Sequence, residues 1–165
     1  PLRWPVDGLD LGAVREARRL KARMEAERLP RGADPTVHTK LGRGGLSDVE
    51  WTVQLLQMEN AGQHPALRTT TTLYGLQACV EAGLLTSADA RTLREAWLLA
   101  TAIRNAIMLV KVRPGDSLPS DVGELSALAA VLRHYGSDGS QLKDEYLRTT
   151  RRARSVTERV FYGEQ

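Results

Sequence analysis

A single cysteine, Cys79, in 165 residues leaves no partner for an intrachain disulfide and no thiolate set for zinc. Its neighbours are apolar, so it reads as a small core residue. The three histidines, His38, His64 and His134, fall on separate elements. With no H-x-x-x-H or C-x-x-C spacing, no metal site is expected in this chain. Aromatic residues make up 5% of the chain, which argues against a nucleic-acid partner. No run is apolar enough for a membrane span. The richest stretch, residues 97–112, is interrupted by Arg104, Asn105 and Lys111. No charged-then-apolar leader opens the chain, and with one cysteine the expected location is the cytoplasm. The phosphate motifs G-x-x-x-x-G-K-[ST] and G-x-G-x-x-G are both missing. No nucleophile–base pair or acid dyad emerges either. The chain does not read as a complete enzyme, and its start at Pro1 without Met suggests part of a longer polypeptide.

What is present is the composition of one globular domain. Hydrophobic residues make up 42% and charged residues 26%, enough to bury a single core at this length. The net charge is +3. The C-terminal cations Arg148, Arg151, Arg152, Arg154 and Arg159 spread around a helix and are interrupted by Asp144, Glu145 and Glu158, as on a solvated face.

Periodicity is helical almost throughout, predicting an all-α bundle of about six helices. The first helix, about residues 10–29, carries Val14, Ala17, Leu20 and Met24 on one stripe and ends at Leu29-Pro30. The second starts at Ser47 with Val49, Val53 and Leu56 on one face. The third runs over 71–82 and stops at Gly83. Thr86-Ser-Ala-Asp89 opens a long fourth helix bearing Leu93, Trp97, Ala100, Ile107 and Val110. It ends before the loop 113–119. Ser120 or Asp121 caps a fifth helix through Leu125, Leu128 and Leu132, closed by Gly136. The last, about 140–161, turns Leu142, Tyr146, Ala153, Val156 and Val160 inward. The exception is 36–41, alternating and β-branched, which predicts a short extended segment. It is either an extended loop or a strand whose sheet lies on another domain. The expected division is an N-terminal helix and linker over 1–35 and the bundle over 36–165.

The stretch Lys40-Leu-Gly-Arg-Gly-Gly-Leu-Ser-Asp-Val-Glu-Trp51 carries the sharpest local signal. Gly42, Gly44 and Gly45 precede an S-x-x-E pattern at Ser47 and Glu50, which reads as a capping box. Free amides at such a helix start would suit a phosphate, or the loop could be a tight docking surface. Asp48 and Glu50 diverge by about 200° on a helix, so they are poor ligands for one metal. With Glu50 engaged in the box, Asp48 is expected to be the freer acid. The run Arg68-Thr-Thr-Thr-Thr72 reads as a helix cap and solvated loop. Arg104 and Asn105 interrupt an apolar helix, and a buried polar network or a ligand-facing role is expected of them.

These segments together resemble the C-terminal helical domain of the glutamine synthetase adenylyltransferase/adenylyl-removing enzyme family, over nearly the whole length. The resemblance rests on Lys21-Ala-Arg-Met-Glu-Ala-Glu-Arg28 and on Lys40-x-Gly-x-Gly-Gly-x-x-Asp48-Val-Glu50-Trp51. Further matches are Arg68-Thr-Thr, Arg104-Asn105, Asp116-x-Leu118-Pro119 and the ending Arg151-Arg-Ala-Arg154 to Tyr162-Gly163. Trp51 and Leu46 stand where Phe and Ile are commoner in the family. The resemblance implies a parent enzyme that transfers AMP from ATP, with magnesium, to a tyrosine of glutamine synthetase and removes it by phosphorolysis. It implies that the PII signalling protein and glutamine adjust the balance. It implies that the catalytic carboxylates lie on a separate nucleotidyltransferase domain, and that this chain has a regulatory or structural role with no cofactor of its own. Lys40, Gly42, Gly44, Gly45 and Asp48 would then face the nucleotide or that domain.

Overall fold

The computed structural model describes residues 4–5, 7–133 and 138–163; His134 and Gly136 lie outside them. Among the described residues there are six α-helices. In chain order they are α1 (Leu11–Glu27), α2 (Leu46–Asn60), α3 (Thr72–Glu81), α4 (Ser87–Lys111), α5 (Val122–Leu132) and α6 (Gly139–Thr157). A 3₁₀ turn, Pro65–Leu67, precedes α3, and a π-helical turn, Glu158–Tyr162, prolongs α6. The all-α expectation holds. Short polar side chains start four of the helices. Asp10, Thr86, Asp121 and Asp138 accept from amides three or fewer residues ahead, supplying partners that a helix start otherwise lacks.

The long helix α4 runs through two apolar clusters. One joins α2, α3 and α4 through Val49, Val53, Leu76, Cys79, Leu93 and Ala96. The other joins α4, α5 and α6 through Ile103, Ile107, Leu128, Leu142 and Tyr146. Each fully buried Leu or Ile in these clusters is worth about 1.5–3 kcal/mol relative to exposure. Burial pushes the Cys79 thiol up to about 11, in keeping with its reading as a core residue rather than a reactive one.

Helix α1 is held differently. Its buried residues are Val14 and Lys21, while Leu20 is 51% exposed, so the predicted stripe through Leu20 and Met24 is not the inward face. A small third cluster of Val14, Leu55 and Phe161 ties α1 to α2 and to the π turn after α6. Arg18 adds a hydrogen bond from Nε to the Phe161 carbonyl at 2.6 Å. Ion pairs from Lys21 and Glu25 add to this attachment.

The extended segment finds its partner within this chain. The Thr39 amide donates to Asp116 O at 2.6 Å and the Leu118 amide to Val37 O at 3.0 Å, around an antiparallel bridge of His38 and Ser117. The β-branched run therefore pairs with the loop after α4, and no strand-bearing domain is needed to account for it. Arg104 secures the same loop through Asp116, Nε to Oδ1 at 2.6 Å, with both side chains 36% exposed. The expectation of a buried network at Arg104 and Asn105 is corrected: Arg104 makes a half-exposed ion pair, and Asn105 lies on the outer face of α4. The loop Arg113–Pro119 supplies the acid, a placement the local sequence could not show.

Candidate functional site

The glycine loop closes on itself. Helix α2 begins at Leu46 with Gly45 as its N-cap, and no side chain caps it. Ser47 is buried inside the first turn, so the Ser47–Glu50 capping box is corrected. The acid that reaches back is Asp48, whose Oδ2 accepts from the Gly44 amide at 2.7 Å. It does so from the third helical position, which a capping-box acid occupies. Glu50 instead accepts from Trp97 Nε1 at 3.4 Å, linking α2 to α4.

The other amides are equally committed. Those of Gly42, Gly45, Leu46 and Ser47 donate to the carbonyls of His38, Gly42, Thr39 and Lys40, at 2.9 to 3.0 Å. Arg43 N donates to Pro35 O at 3.2 Å, and Asp48 N to Gly45 O at 3.2 Å. No backbone amide from Leu41 to Asp48 is left to cradle a phosphate, so the loop is not an amide nest for a nucleotide. Backbone from three segments crowds the glycines. A Cβ on Gly42 would overlap the carbonyls of His38 and Pro35, and one on Gly45 would meet Thr39 O at 2.6 Å. Gly44 has φ +71, and its Cβ would overlap Thr150 O on α6. The loop is a wedge between α2 and α6.

Beneath it lies a cluster of charges that sequence reasoning missed. Lys21 is fully buried, and its Nζ contacts Asp48 Oδ1 and Glu25 Oε1, each at 2.5 Å. Asp48 is 1% exposed, so it is the opposite of a freer acid. Its second oxygen also accepts from Arg154 Nη1 at 3.1 Å. Arg154 reaches Glu25 at 3.1 Å and Glu158 at 2.8 Å, and its guanidinium lies 5.4 Å from the Tyr162 ring centre. Tyr162 donates its hydroxyl to Glu25 at 3.0 Å. Every buried side-chain nitrogen and oxygen among the described residues has a partner. Burial alone would raise the Glu25 pKa, but bonding to Lys21 and the charges of Lys21 and Arg154 leave it below the usual carboxylate value. Burial and the adjoining Glu25 carboxylate push the Tyr162 phenol upward.

The cluster unites three segments that carry the resemblance: Lys21 and Glu25 from the first, Asp48 from the glycine segment, and Arg154, Glu158 and Tyr162 from the C-terminal one. Lys21 and Asp48 lie 27 residues apart, and Asp48 and Arg154 lie 106 apart. Lys21 at an inward position of an amphipathic helix was the available signal, since a lysine there needs an acid from elsewhere. Of the predicted loop set, Lys40 is exposed while Gly42, Gly44, Gly45 and Asp48 are buried. Arg68 bonds the Ala61 and Gly62 carbonyls, and Gln57 Nε2 bonds those of Leu67 and Thr69. That segment is more firmly tied than a solvated loop. Among the described residues, no group of three or more His, Cys, Asp or Glu side chains is placed to hold a metal ion. No described helix is long and apolar enough to cross a membrane.

The family model described as GlnD PII-uridylyltransferase matches residues 16–161, which include the wedge and all of the ion cluster except Tyr162. The chain belongs to that family. It is similar to the bifunctional glutamine synthetase adenylyltransferase/adenylyl-removing enzyme of Streptomyces avermitilis, at 60% identity over 163 residues. The protein of that name from Streptomyces coelicolor is 57% identical over 163 residues. Both alignments cover 99% of this chain and 16% of the relative. The protein of that name from Mycobacterium marinum is 53% identical over 159 residues, 96% of this chain and 16% of its own length. The resemblance read from the motifs is borne out. The chain spans about 16% of the length of the curated relatives it matches.

Proposed function

We propose that this chain is a regulatory and structural helical domain of a bifunctional enzyme acting on glutamine synthetase. In this reading the parent adenylylates a tyrosine with ATP and magnesium and removes AMP by phosphorolysis, in the cytoplasm, with PII as a controlling partner. The nucleotide chemistry belongs to a separate domain, and this chain holds that domain and glutamine synthetase in place. The carrying observation is the closed wedge. Its amides are used internally and its one acidic side chain is neutralised by Lys21 and Arg154, which suits a rigid spacer between helices.

The test is a full-length parent carrying Lys40→Ala, since Lys40 is the exposed member of the loop set. Adenylylation and AMP removal should both retain a KM for ATP or phosphate within about twofold of the parent, because no uniform binding contact has been removed. A tenfold rise in KM for ATP would place the loop against nucleotide and overturn this reading.

A second reading, a docking module for PII or glutamine synthetase, is favoured by one face of α4. Leu98 (40% exposed) and Leu109 (70%) stand at i and i+11 on α4, with Met108 (49%) beside Leu109, and Val112 (86%) follows at the C-cap. An i, i+11 spacing puts Leu98 and Leu109 on one side of the helix, with the exposed Asn105 between them. Under that reading, Leu109→Glu in the full-length protein weakens capture of glutamine synthetase or PII at least about tenfold, the effect of losing an apolar anchor. Unchanged capture of both removes the docking reading.

A further inference from the structure

The wedge fixes the origin of a basic cleft that the proposed function does not use. Between the loop and α6 lies a half-open cavity of about 270 Å³, with Thr36 and Arg43 on one wall and α6 from Leu147, with Glu158 of the π turn, on the other. Gly44 packs against the backbone of Thr150, and the next residue on each side of that contact is an arginine: Arg43 before the glycine and Arg151 after the threonine. Both are exposed. Neither guanidinium has a hydrogen bond or ion pair with any described residue. Their backbones are nonetheless fixed. Arg43 N is bonded to Pro35 O at 3.2 Å, and Arg151 sits within α6.

We infer that this cleft is a binding site for a small oxyanion, a carboxylate or phosphate group, gripped between Arg43 and Arg151. Guanidinium forks match such groups with paired hydrogen bonds, and the fixed backbones hold the two arginines on facing walls. The remaining polar groups of the cleft are already committed. Arg154 faces three carboxylates, Glu158 is held by Arg154 at 2.8 Å, and Thr150 and Ser155 donate to carbonyls within α6. The positive charge available to a ligand is therefore that of Arg43 and Arg151. The cavity of about 270 Å³ has room for a small anion between the two side chains. A bound anion would tie the loop to α6 across the same seam that Gly44 closes. The inference does not depend on the proposed function, because it concerns side chains of this chain alone.

The test is hydrogen exchange on the full-length protein, with sulfate as the probe in one arm and acetate in another, against chloride at equal ionic strength. Sulfate slows exchange several-fold in residues 36–47 and 147–158 of the parent. In Arg43→Gln and Arg151→Gln the anion concentration needed for that slowing rises at least about tenfold, as expected for loss of a charge-assisted bond. Arg148→Gln, an exposed arginine outside the cleft, retains the parental response. The acetate arm shows whether one carboxylate suffices. No slowing with either anion, or slowing undiminished in the two cleft variants, overturns the site. Neither result bears on ATP affinity, so failure here is separable from failure of the proposed function.

Discussion

Asp48→Ala is expected to destabilise this chain by about 3–5 kcal/mol, the usual cost of removing one partner from a buried ion pair. Lys21 has no exposed surface and would keep Glu25 as its one anion, at an oxygen already shared with Arg154 and Tyr162. The Gly44 amide would lose its acceptor as well, and an unpaired buried donor costs about 1–3 kcal/mol. Against a total stability of about 5–15 kcal/mol for a domain, the loss is a large fraction. Urea denaturation should show a lower midpoint with an unchanged slope. Adding Lys21→Met should cost less than the sum of the single changes, because the second change removes a charge the first left unpaired. A loss below about 1 kcal/mol for Asp48→Ala would mean that Lys21 reaches other partners or water, and the cluster would no longer account for how α1 is held.

The helices were legible because their signals are local. Val49, Val53 and Leu56 recur at helical spacing, and Thr86 and Asp121 cap where a short polar side chain precedes an apolar period. The wedge was half legible. Three glycines signalled close backbone approach, but the sequence could not say that the approaching backbone belongs to Pro35, His38, Thr39 and Thr150 rather than to a ligand. Free amides for an anion were inferred because a helix start has orphan donors. Here carbonyls of residues 38–42 and the Asp48 carboxylate satisfy them, which depends on how the chain folds back before α2. The capping box failed for a related reason. Helix α2 starts ahead of Ser47, and the acid that reaches back is Asp48 rather than Glu50. The ion cluster was not legible, since Lys21, Asp48 and Arg154 meet only through tertiary packing. Arg154 looked like one more cation on a solvated face, although its neighbours Arg151 and Arg152 are exposed and it is 17% exposed.

Gly44→Val is expected to prevent the native packing of α2 on α6, with a loss larger than that of Asp48→Ala and no cooperative thermal transition in this chain. Two costs act together. At φ +71 a β-branched residue occupies the left-handed region, where even an ordinary L-residue costs about 1–2 kcal/mol. The Cβ also overlaps the carbonyl of Thr150, and the obstacle is backbone within a helix, which cannot rotate aside as a side chain can. Relief requires moving α6 or the loop, and α6 carries Arg154, so the ion contact with Asp48 stretches at the same time. Gly44→Ala separates the two costs from the extra bulk: it keeps the overlap with Thr150 and the positive φ but omits the branched methyls. If the wedge reading is right, Gly44→Ala is already severe, and valine adds little more. If alanine melts within a few degrees of the parent, the seam between loop and α6 is soft. Gly44 would then be present for its dihedral angle alone, because relief of a backbone overlap in a close-packed interior would otherwise appear as lost stability.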